Sequence, residues 1–332
     1  MDIEKTMKIF LLIVSLFLLT ACSESAVQTS PASKQQHYSD IVLKAADISD
    51  DGQYSLISDN QQVCIWDNQA NQKKYDCLQG LEAQLIELLG ISKSKKYFYT
   101  SNRVNVHLYD LASGRLITVW TAGDNIINDI AMSDDESTLL FGFRSGQASI
   151  VSVKSNNITT FKPHRLDINS VSISADGKKA FTGSSDKTAV LWNTATGKAL
   201  QTFKHGTRVN HVVMSADAKV AFTLDAIKDR SFWLLKIGKK FSELASSIKF
   251  IEFNDSLITH NNKWLLTASP KQKLQLWQVK DGKLIGEWYA FKNEEKYRSS
   301  VISIKLINPT EIATISSDGV YETWPIKKAV RS

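Results

Sequence analysis

The sequence of 332 residues predicts an all-β protein, a seven-bladed β-propeller of four-stranded antiparallel blades. Short segments that alternate apolar and polar residues are separated by turns rich in Asp, Gly, Asn and Ser. One turn motif recurs, as in Ser174-Ala175-Asp176 and Ser215-Ala216-Asp217, which lie 41 residues apart. A period of about 40–45 residues is typical of propeller blades. Residues spaced by 41 to 47 positions end the third predicted strand of each unit: Trp66, Tyr109, Val151, Trp192, Trp233, Trp277 and Trp324.

The first element, residues 1–21, is predicted to be a lipoprotein signal peptide. Lys5 and Lys8 precede the uncharged run from Ile9 to Leu19, whose 11 residues are too few to span a hydrocarbon core of about 30 Å as a helix. The segment ends in Leu-Thr-Ala-Cys22, which resembles the lipobox of bacterial lipoproteins. The resemblance implies that Cys22 is lipidated. A cleaved secretory signal with an incidental cysteine is the alternative, and the sequence leaves open whether Met1 or Met7 is the start.

The lipidated cysteine implies export and attachment to a membrane. Ser23 follows Cys22, a pattern that resembles Gram-negative lipoproteins sent to the outer membrane. We therefore expect the protein on the periplasmic face of that membrane. Residues 22–31 are predicted to form the lipidated N-terminus and a flexible tether, because large apolar side chains are nearly absent there.

The propeller itself is predicted over residues 32–332. After Trp324 only eight residues remain, too few for another outer strand once Pro325 interrupts pairing. Counting back from blade one places the missing outer strand at about residues 32–38. We therefore expect an N-terminal strand to close the ring beside Val320–Trp324.

The fourth unit carries the full set of markers that resembles the WD40 repeat family. These markers are His164, Thr182, Asp186 and Trp192. The resemblance implies that the four side chains form a hydrogen-bonded network between strands. It extends less completely over residues 38–326, with blades three and six degenerate. Partial sets remain in the other blades: Trp66-Asp67, Tyr109-Asp110, His205 with Thr223 and Trp233 (Ile227 standing in the Asp register), and Thr314 with Asp318 and Trp324.

The chain lacks the sequence signatures of an enzyme. It has no GxSxG, HExxH, GxxxxGK[ST] or GxGxxG motif, and its six histidines form no i, i+2 or i, i+4 pair. The net charge of +6 does not imply nucleic-acid binding. We expect no enzymatic activity, cofactor or metal. The alternative is a degenerate propeller enzyme of hydrolase type, or a binder of small ligands or glycans. Channel carboxylates or histidines would favour that alternative, whereas Ser, Thr and Ala would oppose it.

The resemblance implies that a partner binds the narrower propeller face, near the start of each innermost strand and just before the turn Asp. The polar, mixed-sign set suits a protein or peptide better than a small molecule. We therefore predict a monomeric protein-binding scaffold of the cell envelope. The register gives these candidate positions: Lys44, Asp59, Glu87, Asn102, Asn128, Arg144, Asp167, Asn169, Ser185, Arg208, Asn210, Lys249 and Ser317.

Two further surface features each have two interpretations. Trp120 and Trp288 fall on predicted outer strands, where they either cover the rim or contact a partner. A basic stretch around blade five is either a solvated edge or a contact for lipid headgroups, lipopolysaccharide or an acidic protein. Its members are Lys228, Arg230, Lys236, Lys239 and Lys240.

Cys64 and Cys77 are candidates for a disulfide bond. If Trp66 pairs with Tyr75, the two cysteines lie directly opposite each other on antiparallel strands. An exported protein also meets an oxidising compartment. If the turn register shifts by one residue, the pair is displaced and two free thiols result.

Overall fold

The computed structural model describes residues 27–59, 61–79, 85–259, 261–292 and 299–326. The described residues form seven antiparallel sheets, and the predicted seven-bladed propeller is confirmed. Neighbouring innermost strands contact one another around the ring, and the innermost strand of the last blade contacts that of the first. Within the described ranges, no helix is long and apolar enough to cross a membrane.

Each blade runs from an innermost to an outermost strand. Blade one contains β2 (Ala45–Ile48), β3 (Tyr54–Ser58), β4 (Gln62–Asp67) and a divided outer strand, β5 (Gln72–Lys73) and β6 (Leu78–Gln79). Blade two contains β7 (Leu88–Ile91), β8 (Tyr97–Ser101), β9 (Asn105–Asp110) and β10 (Leu116–Thr121). Blade three contains β11 (Ile127–Met132), β12 (Thr138–Phe143), β13 (Ala148–Ser152) and β14 (Ile158–Phe161). Blade four contains β15 (Ile168–Ile173), β16 (Lys179–Ser184), β17 (Thr188–Asn193) and β18 (Ala199–Lys204).

The remaining blades have the same order. Blade five contains β19 (Val209–Met214), β20 (Val220–Asp225), β21 (Arg230–Leu234) and β22 (Lys239–Glu243). Blade six contains β23 (Asp255–Ile258), β24 (Trp264–Ala268), β25 (Lys273–Gln278) and β26 (Leu284–Tyr289). Blade seven contains β27 (Val301–Asn308), β28 (Glu311–Ser316), β29 (Val320–Pro325) and, as its outer strand, β1 (Lys34–His37).

The core lies between adjacent blades rather than at the centre of the ring. Phe181 and Phe203 of blade four pack against Val209 and Val212 of blade five. A Cβ atom at Gly183 would lie 2.7 Å from Cγ1 of both valines, so the inner faces approach closely there. Second strands such as β16 are consequently buried on both faces, whereas outer strands such as β10 bury only alternate side chains.

The strand that closes the ring occupies the place that the strand count predicts. β1 pairs with β29, in a register that joins Lys34 to Thr323 and His37 to Val320. The next residue, Tyr38, is buried, and its ring stacks on Trp66 with centroids 4.8 Å apart. The closing segment therefore joins blade seven to blade one.

Part of the predicted tether is a structured segment. The Gln28 amide donates to the Ile285 carbonyl (2.7 Å), and the Glu287 amide donates to the Gln28 carbonyl (2.9 Å), which makes a parallel bridge to β26. The indole N–H of Trp288 donates to the Ser30 hydroxyl (3.1 Å). The expectation of a flexible tether is therefore wrong for Gln28 to Ser30, because unpaired groups of β26 bind this segment. Cys22 and the predicted signal peptide lie outside the described residues.

The two tryptophans of the outer strands do not cover the rim. Trp120 is 4% exposed and Trp288 is 1% exposed, and both pack into apolar clusters between blades. Both interpretations drawn from the sequence are wrong for these residues. The period-2 pleat turns these two positions inward and leaves their neighbours Val119 and Tyr289 exposed.

Cys64 and Cys77 form a disulfide bond, with Cα atoms 4.4 Å apart. Next to them Val63 pairs with Leu78, but Trp66 pairs with Lys73 rather than with Tyr75. The expected Trp66–Tyr75 pair is wrong because the outer strand is interrupted between β5 and β6. Tyr75 leaves the sheet there and packs against Gly114 of blade two.

Reduction of this disulfide is expected to lower the free energy of unfolding by up to about 3 kcal/mol, because the bond closes a loop between residues separated by 13 positions. The measurement is urea denaturation with and without reductant. The Cys64→Ala/Cys77→Ala variant should resemble the reduced protein and be insensitive to reductant. An unchanged midpoint for the reduced wild type would contradict the prediction.

Glu322 of β29 makes stability depend on pH. Its side chain is 3% exposed and accepts the Phe291 amide (2.8 Å), and burial raises the pKa of its carboxyl to about 7. A carboxyl with a raised pKa keeps its proton in the folded state, so its contribution to stability falls as pH rises from about 4.5 to about 7.

Glu322→Gln should therefore leave stability nearly unchanged at pH 5 and increase it at pH 8 by up to about 3 kcal/mol. Urea denaturation at both pH values measures the difference between variant and wild type, in which the other titrating groups cancel. Glu252→Gln, at an exposed carboxyl, is the control. Equal differences at the two pH values would show that the Glu322 carboxyl does not titrate as described.

Candidate functional site

The candidate site is the face on which the innermost strands begin, here called the channel-mouth face. A cavity of about 550 Å³ opens at its centre. Charged and polar side chains dominate the wall of this cavity. They include Lys44, Asp47, Glu87, Tyr99, Arg103, Asp129, Asn254, Asp255 and Lys305.

Asn128, Asn169 and Asn210 occupy equivalent positions at the start of innermost strands. The side chains of Asn128 and Asn169 each bind the next blade. The Asn128 amide donates to the Ile168 carbonyl (2.9 Å), and the Asn169 amide donates to the Val209 carbonyl (2.8 Å). Asn210 holds the same register position in blade five and accepts a hydrogen bond from Arg208 Nε (3.1 Å). These residues lie on the channel-mouth face, where the amides of Asn128 and Asn169 have a structural role.

Two of the predicted positions, Asp59 and Asn102, cap turns. Asp59 is 6% exposed, and its carboxylate accepts the amides of Gln61 (3.0 Å) and Gln62 (3.1 Å). The Asn102 side chain likewise accepts the backbone amides of Val104 (3.1 Å) and of Asn105 (2.8 Å), the first residue of β9. A short polar side chain at this point satisfies backbone donors of its own turn, so its polarity does not indicate a contact for a partner.

The register position assigned to Lys249 is wrong, because Asn254 holds that position in blade six. The Asn254 amide donates to the Val301 carbonyl (2.8 Å), as its equivalents do in blades three and four. The error comes from connection length. Residues 244–254 join blade five to blade six, whereas residues 205–208 suffice between blades four and five. Lys249 lies exposed within the longer connection.

The exposed charges of the channel-mouth face are mostly basic. Lys44, Arg144 and Arg208 are exposed, and Glu87 forms an ion pair with Arg103. Asp167 is partly exposed. Ser185 bonds the Asn169 side chain (3.1 Å), and Ser317 accepts the Ser300 amide (3.0 Å).

Blade four contains the network that the resemblance implies. His164 Nε2 lies 2.8 Å from the Thr182 hydroxyl, which also accepts the Trp192 indole N–H (3.3 Å). His164 Nδ1 lies 3.1 Å from the Asp186 carboxylate. Burial lowers the pKa of His164 although Asp186 opposes this shift. The four residues lie together as a structural unit inside the blade.

Blade five forms part of this unit through a residue that the sequence analysis missed, but His205 Nε2 has no hydrogen-bond partner among the described residues. His205 Nδ1 lies 2.9 Å from Asp229, so Asp229 takes the role assigned by register to Ile227. Asp229 lies four residues before Trp233, whereas Asp186 lies six residues before Trp192. Burial opposes ionisation of Asp229, but hydrogen bonds from His205 and Ser231 lower its pKa to about 2. The sequence could have indicated this role, because Asp229 lies shortly before the repeat residue Trp233.

Carboxylates inside the channel are a second feature that the sequence analysis missed. Each accepts a backbone amide from the innermost strand of the next blade. The pairs are Asp47 with Ile91 (2.8 Å), Asp129 with Val171 (2.7 Å) and Asp255 with Ile304 (2.9 Å). An Asp inside a short apolar strand could have indicated such a contact. The amide that it binds, however, lies more than 40 residues away in the sequence.

The channel also holds a lysine and a tyrosine. Lys305 lies 3.3 Å from Asp47, and the neighbouring carboxylates raise its pKa although burial would lower it. Tyr99 lies over Gly90, where an added Cβ would be 2.6 Å from its ring, and burial raises the pKa of its hydroxyl. Burial likewise raises the pKa of Asp129 and of Asp255 to about 6.

Channel carboxylates are the feature expected of the alternative function, an enzyme or ligand binder. In this channel, however, each carboxylate accepts a hydrogen bond that links two blades. Within the described part of the chain, no group of three or more His, Cys, Asp or Glu residues could hold a metal ion. The channel chemistry is therefore explained by closure of the ring.

The basic stretch of blade five does not form one surface. Lys228 lies in the turn between β20 and β21 on the channel-mouth face, whereas Lys236 and Lys239 flank the turn at the other end of β21. Arg230 donates to the Ser246 carbonyl (2.6 Å), and Lys240 pairs with Glu243 (2.6 Å). A single anionic contact over the whole stretch is therefore wrong.

Residues 155–193 match the family model described as WD domain, G-beta repeat. The matched segment runs from just before β14 to the end of β17 and contains the whole blade-four network. A search of curated proteins finds no significant match. The chain is thus a seven-bladed propeller with one segment similar to a WD40 repeat.

Proposed function

We propose that this chain is a membrane-anchored binding module that presents its channel-mouth face to a protein or peptide partner in the bacterial cell envelope. The exposed basic side chains Lys44, Arg144 and Arg208 on a rigid ring are the observation that supports it. WD40 propellers commonly bind protein partners, and one segment of this chain is similar to that repeat. A similarity of fold does not identify the partner of this chain, so experiments must identify it.

Anchoring by Cys22 has its own test. Cys22→Ser should move the protein from the membrane fraction to the soluble fraction and remove the mass of the acyl groups. The expectation rests on the Leu-Thr-Ala-Cys22 segment, and on the rule that stable anchoring usually requires more than one acyl chain. Cys64→Ala/Cys77→Ala is the matched control and should stay membrane-bound. A Cys22→Ser protein that remains in the membrane at unchanged mass would contradict the anchor.

Photo-crosslinking in intact envelopes tests the binding face. A photoreactive residue at Arg144 or Arg208 should give a discrete adduct with one partner. The same residue at Ile237, which is 61% exposed in the turn between β21 and β22, is the control. Adducts from Ile237 alone, or from no position, would refute the assignment of the channel-mouth face.

The cavity of about 550 Å³ and its polar wall support a second candidate, a small polar ligand at the channel mouth. This candidate predicts an increase in melting temperature with a soluble glycan or other small polar solute. Arg103→Ala, which removes one charged residue of the cavity wall, should abolish that increase. Without an increase for any such solute, the second candidate has no support.

A further inference from the structure

The connection between blades five and six is fixed against the channel-mouth face. The Phe250 amide donates to the Ile227 carbonyl (2.9 Å) in the turn between β20 and β21. The Arg230 guanidinium holds the same connection by donating to the carbonyls of Ser246 and Ile248. The connection ends at Asn254, which lines the central cavity. These bonds give an irregular segment a defined shape.

This connection exposes large apolar side chains next to a groove. Ile248 is 60% exposed and Phe250 is 69% exposed, and Ile227 beside them is 38% exposed. The groove has a volume of about 330 Å³, and Phe253, Pro270 and Trp277 contribute to its walls. Contiguous exposed apolar surface with a polar border is typical of interaction sites. The groove is large enough for one or two side chains.

The backbone of Phe250 supports a role other than folding. Its φ angle is 56°, in the left-handed region that favours Gly and Asn and disfavours a bulky residue. Leu85 is a second bulky apolar residue with a positive φ angle. Most other non-glycine residues with a positive φ angle are polar and lie in tight turns between strands. Neither burial nor conformational preference explains an exposed phenylalanine here. An unfavourable conformation that persists at a surface supports a functional contact.

The charges around the groove select the chemistry of the occupant. Lys228, Lys249 and Lys271 are exposed at the groove or next to its apolar residues, and the nearby exposed acid is Glu252. Asp229 is paired with His205. Asp225 caps the turn by accepting backbone amides. The border is therefore positively charged, which favours an acidic occupant.

We propose that this groove binds an acidic peptide segment of a partner protein through one large apolar side chain. The apolar side chain inserts between Ile248 and Phe250, and flanking carboxylates lie against Lys249 and Lys271. This proposal rests on the proposed binding function and narrows it to one part of the channel-mouth face. A pocket of about 330 Å³ fits a side chain better than it fits the surface of a bilayer.

The test measures binding of defined probes by fluorescence anisotropy, with the full mature protein held in phosphatidylcholine nanodiscs. The first probe is a short peptide with glutamates flanking one phenylalanine. Others replace the glutamates with glutamine or lysine, or the phenylalanine with alanine. We expect binding of the first probe, at least about tenfold weaker binding of the others, and weakening by salt.

Variants then locate the site. Phe250→Ala and Lys249→Glu/Lys271→Glu should each weaken binding of the first probe at least about tenfold. Ile237→Ala and Lys236→Glu are matched controls at the opposite end of blade five and should leave binding unchanged. Phe250→Gly relieves the left-handed backbone, so it should lose binding while its melting temperature stays equal or rises. This variant separates loss of the contact from loss of the fold.

Three results would overturn the proposal. One is that no peptide binds, another is that binding persists in Phe250→Gly, and the third is that phosphatidylglycerol vesicles bind through Phe250 while peptides do not. The crosslinks from Arg144 and Arg208 test the proposed function independently of the groove. If those crosslinks persist with negative peptide results, the face still binds a partner and only the groove is wrongly assigned.

Discussion

A chain that begins at Ser39 is expected to lose on the order of 5 kcal/mol of unfolding free energy relative to one that begins at Ser23. The truncation removes β1 and exposes the pairing edge of β29. It also removes Tyr38, whose ring stacks on Trp66 and whose hydroxyl donates to Ser55 (3.1 Å). Removal of a buried aromatic side chain alone costs about 3–5 kcal/mol.

A chain that begins at Ser33 is the matched control. It keeps β1 and loses only the segment that binds the edge of β26, so its loss should be much smaller. Urea denaturation of the three chains provides the comparison. If the chains that begin at Ser23 and Ser39 unfold at the same urea concentration, β1 does not close the ring.

Thr182→Val in blade four is expected to cost about 3 kcal/mol. The substitution preserves shape but removes the hydroxyl that joins His164 to Trp192. It leaves the buried indole N–H and the imidazole nitrogen without that partner, and a buried unsatisfied polar group costs about 1–3 kcal/mol. Thermal and urea denaturation measure the loss.

Thr100→Val in blade two is the control for that substitution. Thr100 is 1% exposed, and its hydroxyl has no hydrogen-bond partner among the described residues. The same exchange of hydroxyl for methyl should therefore leave stability unchanged or raise it slightly. Equal losses for the two variants would show that burial of the site, rather than the network, sets the effect.

The parts of the fold that repeat were predictable from the sequence. Trp192, Trp233, Trp277 and Trp324 all lie near the end of a third strand, as their spacing predicts. The period reports strand placement directly because each blade repeats the same alternation of buried and exposed positions. The disulfide bond was also predictable from the sequence, because Cys64 and Cys77 belong to one hairpin.

The predictions failed where a blade departs from the period or where contacts join different blades. Lys249 was assigned by counting across a connection that is longer than its equivalents. Asp129 binds an amide of the next blade, and Tyr99 reaches the channel because Gly90 leaves space. Such contacts join residues without a fixed spacing, so only the assembled ring reveals them.

The pairing of β1 with β29 also orders events in time. A ribosome makes Lys34 first and completes its partner Thr323 only 289 residues later. The first strand must therefore persist without a partner throughout synthesis, and such long-range pairing slows folding. Its sequence, Lys-Gln-Gln-His, is wholly polar, which disfavours aggregation of a waiting strand. A nascent chain cannot form the complete ring until β29 has emerged.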